Sequence, residues 1–172
     1  LILIKTRKEK IIMLPPPALK YVLLAFEGTP EVLDGLLRDI ALNDPIWDKR
    51  PDPERFTIRE ALAHIADWEP IVLERVCRIC DEDTPLLPDV DEGEMAVKND
   101  YAHSDPRHSL ARIHDGRTRL LTTLRTLPPE AWKRTGNREK IGLLTLEELI
   151  VLWLGHDGYH TRQVAEWIAA AP

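Results

Sequence analysis

Apolar residues recur at spacings of three and four along most of the chain, the pattern of amphipathic helices that each turn one face to a core. Four helical segments follow from it. The first begins with the apolar stretch Ala18 to Glu27 and resumes after Thr29-Pro30-Glu31 to about Leu42. Thr29 suits an N-cap and Pro30 a first helical position, so this segment is predicted as two short helices or one interrupted helix. Prolines 45, 51 and 53 exclude a helix from Asn43 to Phe56, which is predicted as a loop.

Thr57-Ile-Arg-Glu60 has capping-box form, in which each side chain satisfies an orphan backbone N–H, and it opens a second helix to about Cys80. Asp81 to Ser104 is acidic and contains Pro85, Pro88 and Gly93; it is predicted as a long loop, either a lid or partner surface or a solvated connection. Pro106 starts a third helix, with Leu110, Ile113, Leu120, Leu121 and Leu124 at helical spacing and Pro128-Pro129 as its stop. A second capping box, Thr145-Leu-Glu-Glu148, opens a fourth helix that runs to about Ala170. No segment sustains the apolar-polar alternation of a strand. The predicted class is therefore all-α, an up-down-up-down four-helix bundle whose second and fourth helices run in the same direction. Residues 15–172 are expected to form its single domain, after a tail at 1–14 in which Met13 is a candidate natural start.

Composition narrows the function. With 44% hydrophobic residues in 172, the chain has enough apolar mass for a core without disulfide or metal support. A formal net charge of -6 repels phosphate backbones, which argues against a nucleic-acid partner. No apolar run reaches the roughly 18–20 residues needed to cross a bilayer, so no membrane partner and a cytoplasmic location are expected. Cys77 and Cys80 are too few for a secreted disulfide scaffold, and their C-x-x-C spacing lacks a second pair or a neighbouring histidine. They are expected to be packed thiols.

The candidate chemistry lies on the fourth helix. Leu146, Leu149, Ile150, Trp153, Val164 and Trp167 share one face, and His156, Asp157 and His160 fall within the same arc. Ionisable groups aimed at a core need partners, and histidines at i and i+4 can present two imidazoles to one ion. His64 borders the apolar arc of the second helix and is the third candidate ligand. Three imidazoles leave coordination positions open, the arrangement of a catalytic rather than a bracing ion. The competing account makes all three ordinary core histidines. Asp67, one turn after His64, and Asp157 are candidates to orient an imidazole from behind. Arg117 projects from the apolar face of the third helix, which predicts a buried ion pair, with Asp157 as a candidate partner, or an anchor for an anionic ligand. His103, His108 and His114 have no partner spacing and receive no role. The five tryptophans are expected to supply packing mass, with Trp153 as a candidate wall beside His156.

Together, Ala61-Leu-Ala-His64-Ile-Ala-Asp67-Trp-Glu69, Trp132-Lys-Arg-Thr135, Gly142-Leu-Leu-Thr145-Leu-Glu-Glu-Leu149 and Gly155-His-Asp-Gly-Tyr-His160-Thr-Arg-Gln163-Val resemble the DinB superfamily over roughly residues 18–170. The resemblance implies a DinB-like four-helix bundle, commonly a homodimer, with nickel, zinc, iron or manganese held by His64, His156 and His160; nickel and zinc are favoured. It also implies transferase or isomerase chemistry with a low-molecular-weight thiol such as bacillithiol, mycothiol or glutathione. The expected function is a metal-dependent thiol S-transferase or hydrolase acting on a small molecule. The alternative is a non-catalytic small-molecule-binding or stress-response interaction module whose metal is structural or absent.

Overall fold

Both Thr-x-x-Glu signals start helices. In the computed structural model, which describes residues 14–170, the Thr57 hydroxyl accepts from Glu60 N (3.2 Å) while Glu60 Oε2 accepts from Thr57 N (2.8 Å), and Thr145 and Glu148 repeat the exchange. The elements are α1 (Pro16–Leu37), α2 (Ile58–Asp81), β1 (Leu86–Leu87), α3 (Glu92–Lys98), α4 (Pro106–Thr126), β2 (Thr135–Arg138), β3 (Gly142–Thr145) and α5 (Leu146–Ala169). Met13 and the rest of the predicted tail before Leu14 lie outside the described residues.

Helix α1 is not interrupted. Pro30 sits inside it, and the missing N–H frees the carbonyl four residues back, that of Phe26. Arg117 Nη1 donates to that carbonyl, so a side chain of α4 replaces the lost backbone bond.

Two further expectations need correction. The all-α class omits a three-stranded sheet in which β1 pairs parallel with β2 and β2 pairs antiparallel with β3. Strands of two and four residues are too short to display alternation, and β2, Thr-Gly-Asn-Arg, contains no large apolar residue to reveal it. Gly142 opens β3 at φ +96, a left-handed conformation that closes the β2–β3 turn without strain. Part of the predicted 81–104 loop is likewise ordered, as β1, α3 and the 3-10 turn Tyr101–His103.

The helix directions also differ from up-down-up-down. Arg59 Nη1 donates to Ser104 O (2.6 Å), Arg112 pairs with Asp67 (2.5 Å) and Arg117 with Glu69 (2.6 Å), so α2 and α4 ascend together. Against α5 the order reverses: Trp167 Nε1 donates to Phe56 O (2.9 Å) while Trp68 packs on Trp153. Along α1 and α4, Arg107 reaches Ile40 O (2.8 Å) and Arg125 reaches Glu27 (2.7 Å), an antiparallel pair. The bundle is up-down-down-up, with α2 and α5 antiparallel, and α1 packs mainly on α4 and α5 rather than on α2. The physical reason is the Glu82–Asp105 connection, which returns along α2 and starts α4 at the end where α2 began. Gly116 permits the α2–α4 contact, because a Cβ there would overlap Glu69 Cβ.

The core falls into two apolar clusters. Phe26, Trp68, Val72, Val76, Leu120 and Ile150 belong to one, and Leu33, Trp47, Leu62, Ile65, Ile113 and Trp167 to the other. At their junction each long helix contributes polar groups: Thr29 from α1, His64 and Glu69 from α2, Arg117 from α4, Asp157 and His160 from α5, all buried. Arg117 lies 2.6 Å from Glu69 and 2.8 Å from Asp157, and its guanidinium stands 3.7 Å from the Phe26 ring centroid.

Arg117→Met would leave two buried carboxyls without their cation. It is expected to lower unfolding stability by about 3–5 kcal/mol, measured by urea denaturation at neutral pH.

Candidate metal centre

The start of α2 is clamped to the second half of α5. The Phe56 carbonyl, one residue before the α2 cap, accepts from Gln163 Nε2 (2.5 Å) and Trp167 Nε1 (2.9 Å). Because the helices are antiparallel, this contact sets His64, two turns into α2, level with His156 and His160. The meeting therefore arises from opposed helices, not from the parallel pair that the sequence suggested.

His64 Nε2 lies 2.9 Å from His156 Nε2, and one ring nitrogen from each of His64, His156 and His160 falls within 4.8 Å of the others. His64 and His160 are buried and His156 is half-buried. Aromatic neighbours fix the rings. Trp153 stacks on His156 at 4.2 Å and 16°, Phe56 lies 5.0 Å from His64, and Trp68 meets His64 edge-on. His160 Nδ1 bonds to Gln163 Oε1 (3.0 Å), which leaves its Nε2 as the free ligand atom when Nδ1 carries the proton. The Nδ1 atoms of His64 and His156 are buried without a partner among the described residues.

Burial sets the charge state of this cluster. It pushes His64 down to about 3, with His160 adding to the effect, and His156 down to about 2, helped by His160 and His64. His160 falls to about 4, again chiefly by burial, although its bond to Gln163 opposes the shift. All three imidazoles are neutral at physiological pH and keep a lone pair for an acceptor. Two nitrogens at the ordinary 2.0–2.1 Å from a common ion stand about 2.9–3.4 Å apart for angles of roughly 90–109°. The His64–His156 separation of 2.9 Å meets that requirement, the third imidazole nitrogen lies within 4.8 Å of both, and the neutral all-imidazole donor set suits a divalent ion.

The other predicted residues are placed differently. Asp67 accepts from Asn99 (2.6 Å) and pairs with Arg112, and it holds no imidazole. Asp157 faces Arg117 rather than a histidine ring, so the ion-pair alternative for Arg117 is the one realised. Glu69, to which the sequence alone assigns no role, completes that group. Burial pushes Glu69 up to about 7 against the opposing pull of Arg117, and burial raises Asp157 as well. Two carboxyls around one guanidinium would carry a surplus negative charge inside the core, and a retained proton relieves it. His103 pairs with Asp100 and His114 with Asp34, both away from the cluster. Cys77 and Cys80 are free thiols, exposed and half-buried respectively.

Gln163, which bonds to His160 and to the Phe56 carbonyl, is a residue of the site to which the sequence alone assigns no role. Its signal was present, since it stands three residues after His160, on the same helical face. A cleft of about 290 Å³ opens onto His156 and His160, with Arg55, Phe56, Glu92 and Tyr159 among its walls. Solvent and small molecules thus have a route to the cluster.

No helix among the described residues is long and apolar enough to cross a membrane. No curated protein sequence matches the chain. Among solved structures it is similar to YfiT from Bacillus subtilis, with 22% identity and a TM-score of 0.84 over 92% of this chain and 90% of that one. YfiT is described as a probable metal-dependent hydrolase with an unusual four-helix bundle topology. The DinB superfamily matches over residues 25–164, and the chain belongs to that superfamily.

Proposed function

We propose that the chain is a metal-dependent hydrolase that holds one divalent ion with His64, His156 and His160 and acts on a small molecule admitted through the adjoining cleft. The observation that carries this reading is the convergence of three neutral imidazole nitrogens within 4.8 Å. The description of YfiT supports the hydrolase assignment. A bound ion would act as a Lewis acid and lower the pKa of a coordinated water. The protein's part is to hold the imidazoles unprotonated by burial, orient His160 through Gln163, and wall the site with Trp68, Trp153 and Phe56. Imidazole donors accept several first-row ions, with nickel and zinc the favoured candidates.

Hydrolysis is preferred to transfer onto a low-molecular-weight thiol because of the cleft's charges. Its two arginines, Arg50 and Arg55, are engaged by Glu60 (2.6 Å) and Glu166 (2.8 Å). An anionic thiol would meet no uncompensated cation among the described lining residues. A non-catalytic module with a structural ion is the second reading, and turnover separates the two.

Tag-free protein should take up one equivalent of zinc or nickel and melt at a higher temperature when loaded. Replacement of any one histidine by alanine should weaken binding by at least about 100-fold. Calorimetric titration that finds no site would overturn the reading. Hydrolysis of chromogenic esters should stop on chelation and return with the ion; a loaded but inactive protein would favour the non-catalytic module.

The pH dependence has a defined sign. Protons compete for an imidazole only as the pH approaches its pKa, and all three are held at about 4 or below. Metal affinity should therefore change by less than about threefold between roughly pH 7.5 and 5.5 and fall steeply only near pH 4. Unshifted histidines, at about 6.5, would lose affinity from pH 6.5 downward. Competition with a chromophoric chelator across that range tests the difference.

A further inference from the structure

Tyr159 lies between the two α5 histidines in sequence, and its ring meets His160 edge-on with centroids 4.9 Å apart. It lines the cleft and is half exposed. Arg55 Nε donates to its hydroxyl oxygen at 3.1 Å. That arginine is itself fixed: Nη1 donates to Glu166 at 2.8 Å, and the guanidinium stands 4.6 Å from the Trp167 ring centroid.

A phenol carries one proton and accepts through its oxygen. With a permanently charged donor occupying that oxygen, the Tyr159 O–H is polarised and must be directed elsewhere. Among the described residues no acceptor takes it, since the bond from Arg55 is the one hydrogen bond of this hydroxyl. The ring, not the hydroxyl, makes the contact with His160, and the Arg55 guanidinium also stands 5.0 Å from the ring centroid. Glu166 offsets the charge of Arg55, so Tyr159, a residue of the cleft wall, is held there by a pair without net positive charge.

We propose that the Tyr159 hydroxyl donates a hydrogen bond to the substrate oxygen that gains negative charge during hydrolysis, which assigns the substrate to acyl compounds such as esters, amides or thioesters. This rests on the metal-centre reading above. As the water oxygen bonds to the carbonyl carbon, the π pair moves to the carbonyl oxygen, and a donor aimed there is stronger in the transition state than in the ground state. No covalent bond of Tyr159 forms or breaks. Collapse of the adduct breaks the bond to the leaving group, which departs with a proton that came from the attacking water.

The test uses the full chain loaded with cobalt(II), whose visible absorption reports ligands on the ion, and acetohydroxamate as an anionic oxygen probe. Tyr159→Phe should leave cobalt affinity within about twofold and the melting temperature unchanged, while weakening acetohydroxamate binding by about 10-fold or more, as expected for loss of a hydrogen bond to a charged acceptor. Unchanged acetohydroxamate affinity in the loaded variant would overturn the inference and leave the metal centre standing. Loss of cobalt binding in the variant would reveal a structural role and also overturn it. Failure of the unsubstituted protein to bind cobalt would overturn the metal-centre reading and this inference together.

Discussion

The guanidinium of Arg117 is the contact on which the bundle depends. It projects from α4 and meets a carboxyl group from α2, a carboxyl group from α5 and a backbone carbonyl from α1, so one side chain ties all four long helices at a single level. The α1 contact exists because Pro30 removes the N–H that would otherwise claim the Phe26 carbonyl. A residue that would usually break a helix instead exposes the acceptor that a buried cation needs. Asp157, held by the same arginine, is the immediate neighbour of His156, and this links the register of α5 to the position of an imidazole.

The polar layer is costly to build and informative for that reason. Glu69, Arg117 and Asp157 have almost no exposed surface, and burial of such groups is tolerated only with close partners. The three histidines solve the same problem differently. They give up charge, and the aromatic walls that desolvate them also fix their planes. Desolvation thus turns residues that usually titrate near neutrality into unprotonated nitrogen donors.

Much of this was legible in the sequence. The two capping boxes place the starts of α2 and α5, and the helical wheel aims His156, Asp157 and His160 inward. Arg117, flanked by Ile113 and Leu121, points to a buried pair with Asp157. What the sequence did not disclose was direction. Apolar periodicity fixes which face of a helix is buried but carries no record of the route between helices, so the Glu82–Asp105 return along α2, which reverses the directions expected for both α4 and α5, leaves no trace in it. The small sheet escaped because its pairing is made by backbone groups of Thr135–Arg138, whose side chains show no strand-like pattern. Asp67 looked like a partner for His64 one turn away, yet Arg112 and Asn99, brought by the same return, claim it instead. The YfiT description of an unusual bundle topology accords with a chain path that simple alternation does not predict.

His64 and His156 stand 92 positions apart in the chain. During synthesis the first imidazole emerges well before the second and third. In that interval the chain lacks both α5 imidazoles, so the three nitrogens cannot meet. Assembly of the histidine cluster therefore waits on α5, which must dock antiparallel to α2 before the three nitrogens converge.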